Sequence, residues 1–292
     1  MSLSLFYVLC RWVHFAALMS LTGGGVYTAL IAPVRFRGYL AGRFHYLLAI
    51  SAVSALVSAV LLLAAQTGLM GKGWADVFNA DIWQAVLQTR FGQAWQWQLV
   101  AAVVGVAALA LKRRLRQQLL VLSGAGQLAG LAFVGHAAML DGAMGMLQRS
   151  NQIVHLIAAA FWAGGLLPVW LLMRDARQPD IRYDAIRTLM RFSRYGHLAV
   201  ALVVLSGVIN ALLILGWPPT SFRLYSQLLL IKTLLVAGMC GIAVFNRYWL
   251  VPRFQHSGER AQSHFMLTTL AELLLAALVL LLVSVYAMLE PA

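Results

Sequence analysis

FHYLLAISAVSALVSAVLLLAAQT, residues 44–67, contains no Asp, Glu, Lys or Arg. An uncharged run of this length matches the roughly 20 residues that a helix needs to cross a bilayer core of about 30 Å. It does not alternate as a membrane barrel strand would, so the backbone satisfies its own hydrogen bonds as a helix. Seven further runs read the same way, at about 4–31, 94–111, 118–139, 151–173, 188–215, 226–249 and 264–288. The expectation is an all-α, polytopic membrane protein of eight transmembrane helices, forming one integral membrane domain over 1–292.

Composition agrees. Of 292 residues, 62% are hydrophobic and 11% charged, too little charge to cover a soluble surface of this size. The net charge of +13 is explained without nucleic acid, because Lys and Arg collect in alternate loops. Arg35, Arg37 and Arg43; Lys112, Arg113, Arg114 and Arg116; Arg174, Arg177, Arg182 and Arg187; and Arg247, Arg253 and Arg260 occupy the odd connections. The even ones carry only Lys72, Arg90, Arg149 and Arg223. The positive-inside rule makes the odd loops cytoplasmic and both termini periplasmic, in a bacterial inner membrane. The N-terminus lacks a basic segment and a cleavage site, and so reads as a retained first helix. Cys10 and Cys240 sit far apart in apolar runs and give no disulfide framework.

Two even connections have an interfacial character. Residues 68–92 carry Trp74 and Trp83, with Trp95 and Trp97 just beyond, and suggest a short helix on the membrane surface. GWPPTSFRLYS, 216–226, reads as a Pro-ended turn.

The chemistry gathers in VGHAAMLDGAMGMLQRSNQIVHLIAAAFWAGG, 134–165. His136 and His155 flank Met139, Met144 and Met146, a soft set of imidazoles and thioethers that suits copper. His136 and Met139 are expected on one face of the fourth helix, and His155 about one turn into the fifth. Asn151 and Gln152 share the face of His155 and can orient its ring, and Trp162 follows on the same stripe. His14, with Arg11 three residues before it, supplies a third imidazole. His197 and Glu272 are placed at similar depth from the cytoplasmic side, where they can pair as an inner metal or proton-coupling site. Lys232 snorkels toward the outer surface, and Asn246 with Arg247 anchors the inner end of the seventh helix.

A repeat is also visible. Val13-His14 precedes Gly23-Gly24 with the spacing at which Val154-His155 precedes Gly164-Gly165, and Trp97-Gln98-Leu99 resembles Ser226-Gln227-Leu228. Halves 1–140 and 141–292 would then be parallel repeats, with His14 and His155 as counterparts. No phosphate loop, nucleophile elbow, zinc-protease motif or paired Cys motif is present, so ATP-driven transport within this chain is not expected, and the chain is read as a transporter and not an enzyme.

WVHF (12–15), GHA (135–137), HLIAAAFWAGGLLP (155–168), RFSRYGH (191–197), Lys232-Thr233, NRYWLVP (246–252) and Glu272 together resemble the bacterial copper resistance protein D (CopD) family, in its short stand-alone form. The resemblance covers essentially the whole chain. It implies an inner-membrane protein handling Cu(I) or Cu(II), partnered by a CopC-like periplasmic copper carrier, with import favoured over export. His14, His136 and His155 fall on the family's motifs, whereas the methionine cluster does not. Two alternatives stay open. Paired histidines on neighbouring helices can hold haem b, giving an electron carrier or copper reductase. The chain can also act as a docking partner of the copper carrier without transporting anything.

Overall fold

The computed structural model describes residues 1–216, 223–255, 258–286 and 288–289. Among these the chain is helical throughout, with short turns and no strand. The helices are α1 (Leu3–Val26), α2 (Arg37–Arg43), α3 (His45–Met70), α4 (Ala80–Gln88), α5 (Arg90–Ala108), α6 (Arg113–Gly130), α7 (Gly142–Asp175), α8 (Pro179–Leu215), α9 (Leu224–Phe245) and α10 (Gly258–Tyr286). Local chemistry sets several ends. Ser2 caps α1 by accepting from the Leu5 amide, Asn79 caps α4, and Pro179 occupies the first turn of α8. Gly216, at φ 71°, closes α8.

Six segments are long and apolar enough to cross a membrane: Leu3–Ile31, His45–Met70, Gly142–Asp175, Pro179–Leu215, Leu224–Phe254 and Glu259–Tyr286. The expected third and fourth spans, α5 and α6, do not join them by that measure. They are 19 and 18 residues long; Gln93, Gln96 and Gln98 dilute the apolar character of α5, and Arg113, Arg114 and Arg116 with Gln117, Gln118 and Gln127 that of α6. They form a hairpin packed on α1 and α3.

The core runs along α1, which packs on α3 and α7; α7 in turn packs on α8. Glycine makes the α1–α7 contact possible. A Cβ built on Gly23 would lie 2.2 Å from the Gly164 carbonyl carbon, and one on Gly164 would lie 1.9 Å from the Met19 oxygen. No larger residue fits without separating the helices. By contrast, α9 packs mainly on α10 and buries few of its residues in the protein, whereas α7 buries many.

The loops sort by end. Arg43 pairs with Asp175 at 2.7 Å, Arg35 with Asp184 at 2.9 Å, and Gln262 donates to the Met173 carbonyl. These contacts gather the Arg-rich odd connections at one end. At the other, Trp74 donates to the Met1 carbonyl and Arg90 meets Asp141. Residues 74–78 and α4 fill the 68–92 connection, as expected of a short surface helix. The Pro-ended turn at 217–222 lies outside the described residues.

Two expectations about the central stretch are corrected. α6 stops at Gly130, the chain goes extended at Val134, and Gly135 takes φ 63° before a short 3-10 turn over 135–138. His136 and Met139 are therefore not on a common α-helix. α7 starts at Gly142 rather than at 151, which sets His155 13 residues along it, about 20 Å at 1.5 Å per residue. Val154–His155 thus lies in the middle of the helix and not one turn in.

Candidate functional site

His14 and His155 are held in the same way. His14, fully buried on α1, has its Nδ1 2.9 Å from Ser58 Oγ on α3. His155 on α7 has its Nδ1 2.9 Å from Ser206 Oγ on α8. Each serine hydroxyl already donates to a carbonyl of its own helix, Ser54 and Ala55 in one case, Leu202 and Val203 in the other. The serine oxygen is left to accept, so each imidazole carries its proton on Nδ1 and presents Nε2 as a lone pair.

The two differ at Nε2. The Gln98 amide of α5 lies 2.9 Å from His14 Nε2, and Trp95 packs against the same ring. Among the described residues no hydrogen bond reaches Nε2 of His155, which is partly exposed. Gly207 lies under the ring and a Cβ there would approach it at 3.4 Å, so the small residue leaves the imidazole room. One histidine is sealed on both nitrogens; the other keeps a free ligand position.

Asn151 and Gln152 do not touch His155. Asn151 donates to the Ser206 carbonyl at 2.8 Å and to Asn210 Oδ1 at 2.9 Å, and Asn210 donates to Gln152 at 2.7 Å. This amide chain fixes α7 against α8 at the residue that holds the ring. Lys232 Nζ donates to the Tyr286 hydroxyl at 3.3 Å, and its charge reaches His155.

His136 sits at the same end as the Arg90–Asp141 pair, edge-on to Tyr225, which is edge-on to Tyr286. Gln148 pins its turn by donating to the His136 carbonyl at 2.9 Å and accepting from the Leu140 amide. Burial pushes the imidazole below its ordinary pKa of 6.5; a hydrogen bond to the Leu289 backbone opposes this, and the Arg11 charge adds to it. Arg11 lies over the Tyr7 and Phe15 rings, not paired with an anion among the described residues. Met139, Met144 and Met146 point outward, 51%, 52% and 68% exposed. Among the described residues no three His, Cys, Asp or Glu side chains converge to hold a metal, so His14, His136 and His155 do not form one three-nitrogen set.

His197 and Glu272 are not a pair. His197 bonds the Ser193 carbonyl and the Tyr248 hydroxyl, while Glu272 accepts from Asn246 at 3.1 Å. Both line one cavity of about 1260 Å³, together with Trp162 and Cys240. Asn246, expected to anchor the inner end of the seventh helix, is buried there, donating to Glu272 and accepting from the Thr268 hydroxyl of α10.

Two family models match the chain: copper resistance protein D-like, N-terminal domain, over residues 1–146, and copper resistance protein D over residues 186–286. Inner membrane protein YebZ of Escherichia coli (strain K12) is 45% identical over 285 residues, 98% of each chain. The chain belongs to the copper resistance protein D family. Copper resistance protein D of Pseudomonas syringae pv. tomato is 35% identical over 220 residues, 71% of this chain and 69% of that one. Copper transport protein CutJ of Bacillus subtilis (strain 168) is 31% identical over 176 residues, 56% of this chain and 31% of that one. No solved structure matches. With its six apolar segments this family member is a multi-pass protein of the bacterial inner membrane.

Sequence reasoning found both histidines but not the serines that orient them. A lone Ser in an apolar run carries no signal by itself. The signal was in the repeat: Ser58 and Ser206 each lie in the helix that follows a Val-His.

Proposed function

We propose that this copper resistance protein D relative binds copper on the side opposite its Arg-rich loops and moves it inward across the membrane, acting as a transporter and not an enzyme. One observation carries the reading: Ser206 fixes His155 in the tautomer that leaves Nε2 open, in a family whose relatives are named for copper resistance and transport. An imidazole with its other nitrogen held by a hydrogen bond is the arrangement that metal-ligating histidines adopt. The positive-inside rule puts that side in the periplasm. His136 is the nearer-surface ligand, and burial keeps it neutral and able to bind. The exposed thioethers of Met139, Met144 and Met146 suit a transient hand-over from a CopC-like periplasmic carrier, with Cu(I) favoured by sulfur and either oxidation state accepted by imidazole.

The halves are read as parallel repeats. His14–Ser58 and His155–Ser206 share one geometry, and Gly23 meets its counterpart Gly164 where the repeats cross. In this reading Gln98 occupies in the first repeat the position that copper takes in the second. A haem held between His14 and His155 is disfavoured by the same bond, since the nitrogen needed from His14 is taken.

The test is metal analysis, copper titration and an absorbance spectrum of the purified protein, followed by copper uptake into reconstituted vesicles. The expected protein is colourless and binds copper stoichiometrically, and His155→Ala abolishes the binding without unfolding it. Undiminished binding by His155→Ala, or a Soret band lost in that variant, overturns the reading. Binding without uptake leaves the docking role.

A further inference from the structure

The cavity at the Arg-rich end contains a carboxyl that the copper reading does not use. Glu272 on α10 is 2% exposed and lines the cavity with Oε1 unpartnered. Oε2 accepts a single bond, from the Asn246 amide, and Asn246 Oδ1 is itself occupied by the Thr268 hydroxyl at 2.6 Å. One turn back on the same helix face, Thr269 is 1% exposed and lines the same cavity, and its hydroxyl also lacks a partner. Two residues of one cavity wall, a helix turn apart, thus each keep a buried oxygen without a partner.

The surrounding charges do not neutralise Glu272. Around the cavity stand Arg177 after α7, Arg182 and His197 on α8, Cys240 on α9, Arg247 in the π turn and Glu259 on α10. None pairs with Glu272; the ion pairs among the described residues join Arg35, Arg43 and Arg90 to other carboxylates. An ionised carboxylate with one neutral amide donor and almost no water contact is strongly disfavoured. It must carry a proton or face a cation.

We propose that Glu272 and Thr269 form a coupling-cation site on this cavity, taking a proton or Na⁺ in exchange with the Arg-rich side. Oxygen donors suit a hard ion, in contrast to the imidazole and thioether groups at the other end. The exchange balances: the carboxylic acid releases one proton to the cavity, and its carboxylate with the Thr269 hydroxyl holds one Na⁺. When no Na⁺ enters, the same carboxyl loads and unloads the proton alone. Ionisable groups inside membrane segments characteristically line ion pathways of this kind. The site stands without the copper assignment, and in that reading it supplies the ion whose gradient drives uptake.

The test is infrared difference spectroscopy of the copper-free full-length protein in vesicles, from mildly acidic to mildly alkaline pH, with and without Na⁺. The expected result is a protonated-carboxyl band that disappears as pH rises and is absent from Glu272→Gln. Loss of the band on adding Na⁺ identifies sodium as the ion. An insensitive band assigns the site to the proton alone. Thr269→Val, which keeps the carboxyl, shifts the band and weakens any Na⁺ response. Copper binding at His155 is measured in the same preparations and stays stoichiometric in both variants, which shows that they fold. Identical spectra for the parent and Glu272→Gln, with Thr269→Val also without effect, overturn the proposal. Loss of copper binding in the parent itself overturns the copper reading and leaves this one standing.

Discussion

Ser206 determines what His155 offers to a metal, because its hydroxyl can only accept from Nδ1 once it has donated to its own helix. Ser206→Ala frees the ring, and copper affinity should fall by about 10–100-fold, the range for removing a group that orients a metal-ligating histidine. Isothermal titration against the parent checks it; an unchanged affinity means that the ring is held by something else. Lys232 gives a prediction of opposite sign. Its ammonium opposes a copper cation at His155, so Lys232→Met should tighten copper binding if the site is cationic and weaken it if the ligand is an anion. His136 adds a pH dependence. Its folded-state pKa lies below the unfolded value of 6.5, so the unfolded chain binds more protons between the two. Its contribution is complete above 6.5 and is lost as pH falls toward the folded pKa. Protection of residues 135–141 against hydrogen exchange, taken relative to the intrinsic rate at each pH, should fall on acidification through that window in the parent and stay flat in His136→Gln. The two histidines were legible as residues. Their difference was not, because it rests on whether a glutamine from a distant helix reaches Nε2.

The α1–α7 crossing is a backbone contact in which glycine spacing does what side-chain packing does elsewhere. Gly164→Ala places a methyl within 1.9 Å of the Met19 carbonyl oxygen, so the helices must separate. The cost should be about 1–3 kcal/mol, the range for overpacking, and should appear as a lower thermal midpoint in detergent. Gly196→Ala on α8, where nothing lies within 4 Å, is the matched control and should be neutral or slightly stabilising. The helices themselves were readable wherever an apolar run was uninterrupted, as in α3, expected at 44–67 and observed at His45–Met70. Gly135 is where the pattern misleads, because its positive φ breaks an apolar stretch that hydropathy treats as continuous. Asn246 is a second such place, since its position at a helix end does not show that α10 covers it and supplies its partners, Glu272 and Thr268. Glu272 stands out in the sequence as an ionisable group inside an apolar run, but equal depth matches it with His197, and depth along a helix says nothing of rotation about it.

Across the whole molecule the two halves differ in how tightly the third helix closes on the second. In the first, α5 packs on both α3 and α6 and delivers Gln98 to His14. In the second, α9 packs mainly on α10, Nε2 of His155 has no hydrogen-bond partner among the described residues, and a gap lined by α7, α8, α9 and α10 forms the cavity containing Glu272. A helix with so little protein contact opens at lower free energy than one held on two sides. Paired spin labels should therefore report a broader α8–α9 distance distribution than α3–α5 distribution in copper-free vesicles. If copper at His155 draws α9 toward α8, as Gln98 accompanies the closed first half, adding copper should narrow the α8–α9 distribution and leave α3–α5 unchanged. Site-directed labelling fixes the direction of this movement in the membrane. In a background of Cys10→Ala and Cys240→Ala, Asp141→Cys should react with an impermeant maleimide from the periplasm and Arg114→Cys only after permeabilisation. The reverse pattern would turn the copper site toward the cytoplasm and make export the direction that the gap serves. Equal distributions in the two halves, unchanged by copper, would mean that the gap is a fixed lipid-facing cleft, and movement of copper past His155 would then need some other opening.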